Sequence, residues 1–212
     1  MNGFVGGIYK LCEWIMRLAY INLLWIMFTI MGLGLFGFFP ATISMFTVVR
    51  KWLMGFDDIP VFKTFWNAYK KEFLKSNLLG LIIMITAYIL YIDIQFLRST
   101  DGFINVLFYP TILLCIGFIL TLCFVFPTFV HFDVSVFKVF KNSFLLMLMN
   151  PLSTLMMIIG SIAVYMVMTT IPGLIPLIGG SVLAFIIMWS AFLAFTRIER
   201  QRQASINKSP SQ

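Results

Sequence analysis

Charged residues are scarce in this chain of 212 residues, and hydrophobic residues dominate it. Only 11% of the residues are Asp, Glu, Lys or Arg, whereas 61% are hydrophobic. A soluble domain of this length carries about 25% charged residues. The chain has too little polar surface to cover so many apolar side chains in water. The composition therefore predicts an all-α fold, a polytopic membrane helix bundle that forms a single integral membrane domain.

Residues that carry chemistry are equally rare. The chain has one histidine and three cysteines, Cys12, Cys115 and Cys123, without the short spacing of a metal site or a disulfide framework. It lacks a phosphate-binding loop, a Gly-x-Ser-x-Gly turn and a His-Glu-x-x-His helix. We therefore predict no enzymatic activity, no catalytic residue, no metal and no cofactor.

Long apolar runs occur five times, and a membrane-spanning helix needs about 20 apolar residues. They predict spans at 18–39, 78–97, 103–130, 144–170 and 174–195. Pro172, Gly173 and Pro176 predict a tight turn between the last two spans. The tail, 196–212, is expected to be flexible.

The basic residues give an orientation for these spans. The loop from Arg50 to Asn77, the loop after the third span and the tail together contain twelve of the fifteen Lys and Arg residues. With five spans these segments lie on one side, which the positive-inside rule assigns to the cytoplasm. Lys10, Arg17 and Arg98 fall on the other side. We expect a multi-pass protein of a bacterial cell membrane, with its N-terminus outside and its C-terminus cytoplasmic. Topology explains the net charge of +7, so no nucleic-acid partner is expected.

The cytoplasmic loop contains a helical pattern over residues 59–75. Asp57 and Asp58 are candidate caps, and Pro60 suits the first turn. The pattern predicts an amphipathic helix for an anionic membrane surface, for the protein's own span ends or for a cytoplasmic partner. Its apolar stripe and flanking lysines are Phe62, Phe65, Trp66, Tyr69, Phe73, Lys63 and Lys70.

Two segments of the chain resemble each other at an offset of 75 residues. "VFKTFWNAYKKEF" begins at Val61 and "VFKVFKNSFLLML" at Val136, and "FFPAT" and "VFPTF" precede them. The match predicts a weak parallel repeat of the kind found in some transporters. Pro40 and Pro127 would bend their helices. Gly32, Gly34 and Gly37 would let another helix approach closely. We prefer an elbow with a packing notch; a broken helix lining a substrate path is the alternative.

Few ionisable residues lie within the predicted spans. Asp93 is near the outer end of the second span. A carboxylate within a span is a candidate proton or substrate site. The alternative is that Asp93 reaches the water at the lipid headgroups. His131 and Asp133 follow the third span; this pair suits proton transfer, although Asp133 is more simply a helix cap. A single histidine argues against a metal site.

The N-terminal third resembles the YesL-like family of bacterial integral membrane proteins, a domain of unknown function. The segments "NLLWIMFTIMGLGLFGFFPAT", "VVRKWLMG" and "FWNAYKKEFLKSNLLG" carry the resemblance. The matching residues are Asn22, Trp25, Gly32, Gly37, Pro40, Ala41, Thr42, Arg50, Trp52, Gly55, Phe65, Lys70, Phe73, Asn77 and Gly80. Looser similarity in the pattern of spans covers nearly the whole chain.

The resemblance implies a function but no catalytic residue. Members resemble proteins encoded beside sugar importers and polysaccharide-degrading enzymes in Gram-positive bacteria. This implies a non-catalytic accessory component of carbohydrate uptake, whose partners are membrane lipid and the permease subunits of an ABC-type sugar importer. Two alternatives remain: a small transporter or channel that uses Asp93, and a structural or lipid-interacting protein that forms a homo-oligomer through the glycine notch.

Overall fold

The computed structural model describes residues 3–99 and 106–207, and the side chains of 6–99 and 106–200. This part of the chain contains helices and no strand, which confirms the predicted all-α bundle. The helices are α1 (Gly3–Met31), α2 (Leu35–Leu53), α3 (Val61–Arg98), α4 (Phe108–His131), α5 (Val136–Met149), α6 (Pro151–Thr170) and α7 (Gly180–Asn207). A five-residue π-helical turn, Ile175–Gly179, precedes α7.

Five helices in the described residues are long and apolar enough to cross a membrane. They are Gly6–Met31, Val61–Arg98, Phe108–His131, Pro151–Thr170 and Ile175–Arg200. The number agrees with the five predicted spans, and the protein is a multi-pass membrane protein. The predicted start of the third span, residue 103, lies outside the described residues, as do residues 208–212 of the tail.

The first predicted span, 18–39, is divided by a turn at residues 32–34. The Gly34 N–H donates to the Thr29 carbonyl at 2.9 Å, and the Leu33 N–H donates to the Ile30 carbonyl at 3.1 Å. These are the two hydrogen bonds of a Schellman motif, which ends a helix with one residue in the left-handed region. Leu33 occupies that position with φ 60°. The chain therefore reverses before Pro40, and α1 and α2 form a helical hairpin.

The second helix of this hairpin lies at the centre of the bundle. Twelve of the nineteen residues of α2 are buried, including Ala41, Ile43 and Val48. Pro40 is one of them, and α2 continues to Leu53. The elbow predicted at Pro40 is therefore replaced by the turn at residues 32–34, and within α2 Pro40 removes only the one hydrogen bond that its own N–H would have made.

α3 is one continuous helix of 38 residues. It joins the predicted surface helix, 59–75, to the predicted span, 78–97, because no proline and only one glycine lies between Val61 and Arg98. Its N-cap is Pro60, and no side chain caps it. The two aspartates expected as caps have no such role.

A break at Asn150 divides the fourth predicted span, 144–170, into α5 and α6. Pro151 has no N–H to donate, so the helical ladder cannot continue through it. The Thr154 hydroxyl donates to the Met147 carbonyl at 3.4 Å, and this carbonyl is the acceptor that loses its helical partner at Pro151. Both Val-Phe-Lys segments begin helices, at Val61 and Val136, as the repeat predicts.

The predicted turn between the last two spans is present at residues 171–174, between α6 and the π-helical turn. α7 then continues to Asn207, beyond the predicted end of the span at 195. The first part of the predicted flexible tail, 196–207, is therefore helical.

The N-terminal half of α1 lies at the same end of the bundle as the loop between α2 and α3. The Arg17 guanidinium is 3.8 Å from the Asp57 carboxylate, and Trp14 makes an edge contact with Trp52. The five-span count placed Arg17 and this loop on opposite sides of the membrane. A contact of this length is incompatible with that separation, and the physical reason is the hairpin, which returns the chain to the side from which α1 starts.

Candidate functional site

The aromatic stripe of α3 packs mainly inside the protein. Phe65 is fully buried and Tyr69 nearly so, and both rings lie just over 5 Å from the ring of Phe28. The Tyr69 hydroxyl donates to the Phe28 carbonyl at 3.2 Å. Trp66 and Phe73 are half-buried in the same cluster. Of the three uses proposed for the stripe, packing on the protein's own helices accounts for these four residues.

The outer face of the same helix stays exposed. Phe62 is half exposed and Leu74 is 82% exposed. Lys70 is also exposed, and its Nζ lies 4.8 Å from the centre of the Trp66 ring, a cation–π contact that holds the lysine against the helix. We call Phe62, Lys70 and Leu74 the outer face of α3. Lys63 is exposed as well but lines the cleft described below.

Two of the glycines predicted to form a packing notch lie at close contacts between helices of this chain. A Cβ on Gly32 would lie 2.6 Å from the Tyr69 hydroxyl oxygen and would collide with Gly37, so these two glycines let α1, α2 and α3 approach each other. Gly34 faces open space, with φ 73°. Pro127 is buried inside α4, which continues four residues past it to His131.

Asp93 lies on the exposed surface of α3 near the hairpin to α4. It lines a shallow crevice of about 390 Å³ with Phe96, Leu97 and Pro110, and the other lining residues are Leu107, Thr111 and Leu114. Among the described residues, no Asp, Glu, Lys, Arg or His side chain is buried in the bundle. The polar side chains that are buried there belong to Asn, Ser and Thr.

A second cleft lies where α2 and α4 end and α3 begins. Its volume is about 600 Å³. We call it the basic cleft, because it is lined by Arg50, Lys51, Lys63, Lys71, Lys75 and His131, with Glu72 and Asp133 as its acidic residues. Five cations and two carboxylates give a formal charge of +3 with His131 neutral.

Two of the lysines have acidic partners. Lys75 is 3.3 Å from Asp133, and Lys71 is 3.7 Å from Glu72. Asp133 therefore pairs with Lys75 and does not cap α5, whose N-cap is Ser135. Among the described residues, no carboxylate lies within ion-pair distance of Arg50, Lys51 or Lys63.

Arg50 is partly enclosed in the cleft, and its Nε atom is buried. Burial lowers the pKa of its guanidinium, because removing water disfavours the charged form. Arginine nevertheless stays protonated in proteins. Of the basic residues in the cleft, the sequence drew attention to His131 and, as a flank of the aromatic stripe, to Lys63; it did not predict that they lie in one cleft. Their convergence depends on the packing of three helices, which no short motif encodes.

No group of three His, Cys, Asp or Glu side chains suits a metal ion in the described part of the chain. The matches to other proteins are more informative. Residues 18–94 match a family model described as a protein of unknown function, DUF624. The chain is 37% identical to the uncharacterized protein YteU of Bacillus subtilis (strain 168), over 98% of this chain and 96% of the relative. This chain belongs to the YesL-like family of proteins of unknown function.

Two other relatives in this YesL-like family come from the same strain. The uncharacterized protein YesL is 36% identical over 96% of each chain. The uncharacterized protein YesV is 36% identical over 92% of this chain and 94% of its own length. No solved structure matches significantly. The resemblance read from the N-terminal third of the sequence is confirmed over nearly the whole chain, and it assigns no activity.

Proposed function

We propose that the protein is a non-catalytic accessory component of carbohydrate uptake in the bacterial cell membrane. It would dock on the permease subunits of an ABC-type sugar importer. The family resemblance motivates the link to sugar uptake. The exposed outer face of α3 is the observation that supports docking, because Phe62 and Leu74 remain uncovered while the inward half of the stripe is packed.

The composition of this face suits a protein partner. It combines two large apolar side chains with Lys70, whose position is held by Trp66. Phenylalanine is among the residue types enriched at protein interfaces. The transporter alternative has less support, because Asp93 faces the surface crevice.

We also propose an orientation with both termini in the cytoplasm, in place of the outward N-terminus. In this orientation the α1–α2 hairpin enters the membrane from the cytoplasmic side and α2 returns to it, which adds a return pass to the five long helices. Arg17 lies beside Asp57, and the ring of Phe195 on α7 stacks on His131 at 4.3 Å. Adding Lys10 and Arg17 to the twelve cytoplasmic basic residues gives fourteen of the fifteen in the chain. This orientation obeys the positive-inside rule more fully than the first one did.

The docking proposal is tested by affinity purification of a tagged copy from its own membranes in mild detergent. We expect mass spectrometry to identify importer permease subunits in amounts comparable to the bait. The internal repeat provides a matched control: Phe62→Glu should abolish their recovery, while Phe137→Glu, an exposed residue at the equivalent position on α5, should not. Recovery of the bait alone, or equal recovery with both variants, would reject the proposal.

A further inference from the structure

The basic cleft contains polar atoms that have no partner. The Arg50 Nε–H and the His131 Nδ1 are both buried and make no hydrogen bond to any described residue. A buried polar group without a partner is destabilising, and a charged one more so. Both residues line one cleft, so a ligand there would lie beside both side chains.

The positive charge around these atoms favours an anionic ligand. Arg50, Lys51 and Lys63 have no carboxylate partner, so the positive charge of the cleft is only partly neutralised from within. The fork of an arginine guanidinium matches the oxygens of phosphate, and lysine ammonium groups add charge to such sites. A cleft of about 600 Å³ also falls within the range of small-molecule pockets, about 300–1,000 Å³.

One side of the cleft is apolar. Ile43, Phe129 and Val130 contribute to its lining. Lys75 lies over the ring of Phe129, with its Nζ 5.3 Å from the ring centre, and is thereby held near the apolar side. A ligand with a phosphate group and an organic body would satisfy both the basic and the apolar side of the cleft.

We propose that the basic cleft binds a phosphate ester, with Arg50 as the principal contact for the phosphate group and Lys51 and Lys63 beside it. Two sources share this chemistry: the headgroup of an anionic lipid and a soluble phosphorylated compound. The cytoplasmic leaflet carries anionic lipid, so the first source is present wherever the cleft faces that leaflet. The inference does not depend on docking to an importer, since the outer face of α3 lies outside the cleft lining.

The test uses the full-length protein in neutral detergent at fixed ionic strength, since ionic strength alone changes binding between charges. One titration uses inorganic pyrophosphate, with chloride as the blank. The other uses a short-chain phosphatidic acid in the same micelles, with phosphatidylcholine of the same chain length as the blank. Binding is measured by calorimetry and by the shift in thermal unfolding midpoint. Binding of phosphatidic acid alone assigns the site to lipid, and binding of pyrophosphate assigns it to soluble phosphate esters.

The variants decide whether binding occurs in the cleft. Arg50→Gln should weaken binding about tenfold, the loss expected for one charge-assisted hydrogen bond. Lys141→Gln removes the same charge from an exposed site on α5 and should leave binding unchanged. Lys63 is an exposed residue of the cleft, and Lys63→Gln should also weaken binding. This variant replaces Arg50→Gln in the test if Arg50→Gln does not fold.

Three results would overturn the proposal. The first is binding no stronger than the matched blanks in both titrations. The second is equal affinity for Arg50→Gln, Lys63→Gln and Lys141→Gln. The third is tighter binding of a polyglutamate peptide than of either phosphate probe, which would make the cleft a site for acidic protein segments.

Discussion

Asn22 on α1 joins that helix to the start of α7 through Ser181. The Asn22 side-chain oxygen accepts the Ser181 N–H at 3.1 Å, and its Nδ2 donates to the Pro176 carbonyl at 2.7 Å. Asn22 is 1% exposed. The Asn22 amide thus pairs with both a backbone donor, the Ser181 N–H, and a backbone acceptor, the Pro176 carbonyl, at the turn before α7. Trp25 Nε1 likewise donates to the Thr42 hydroxyl on α2 at 3.0 Å, so both side chains form hydrogen bonds between helices.

Replacing this amide with an apolar side chain of similar size should destabilise the protein. Asn22→Leu leaves the buried Ser181 N–H unpaired, a cost of about 1–3 kcal/mol, and removes the partner of the Pro176 carbonyl. We expect a lower free energy of unfolding in mixed micelles. Asn67→Leu, at an exposed position, is the control. Equal stability of the two variants would show that the Asn22 bonds contribute little.

Leu33 should be replaceable by glycine with a gain in stability. A left-handed conformation costs an L-residue roughly 1–2 kcal/mol, and glycine avoids that cost. Leu33 has φ 60° and is 84% exposed, so the change removes strain and little packing. We expect Leu33→Gly to raise the thermal unfolding midpoint.

The control for this change is Leu74→Gly, because Leu74 is 82% exposed but lies within α3. Glycine in a helix interior costs about 1 kcal/mol relative to alanine, so Leu74→Gly should lower the midpoint. Parallel shifts in both variants would contradict the assignment of strain to Leu33.

Phe65→Ala should be one of the most destabilising changes in α3. Its ring is fully buried against Phe28, and removing a buried phenylalanine ring costs about 3–5 kcal/mol. Phe137→Ala removes the same ring from a site on α5 that is 76% exposed, and should have little effect. Denaturant unfolding in mixed micelles measures both. A small effect of Phe65→Ala would mean that the aromatic cluster is not part of the stable core.

The proposed orientation predicts which positions an impermeant thiol reagent reaches in intact cells. After replacement of the three cysteines by serine, single cysteines are introduced at Lys10, Asp58 and Ser99. We expect Lys10→Cys and Asp58→Cys to react only after lysis, because both lie at the cytoplasmic end. Ser99→Cys, at the far end of α3, should react in intact cells. If Lys10→Cys reacted in intact cells and Asp58→Cys did not, the N-terminus would lie outside, as the span count first predicted.

The sequence by itself determined the solvent and the class of fold. Scarce charge and five long apolar runs require a lipid environment and helices, whatever the packing. Local chemistry also placed the turn at Pro172 and Pro176. The family followed from the residues of the N-terminal third.

Tertiary structure decided which of the candidate breaks became turns. Pro40 and Pro127 lie within helices, whereas the chain reverses at Leu33 because two glycines allow α1 and α2 to close into a hairpin. Packing likewise decided that Phe65 and Tyr69 face inward, although their helical period only showed that they share a face.

The same reason applies to the basic cleft. Arg50 and His131 are 81 positions apart in the sequence, and each alone is typical of a residue at the end of a membrane helix. Only the meeting of α2, α3 and α4 at one end of the bundle makes them line a common cleft. A property that depends on the distance between helices is absent from any single segment of the chain.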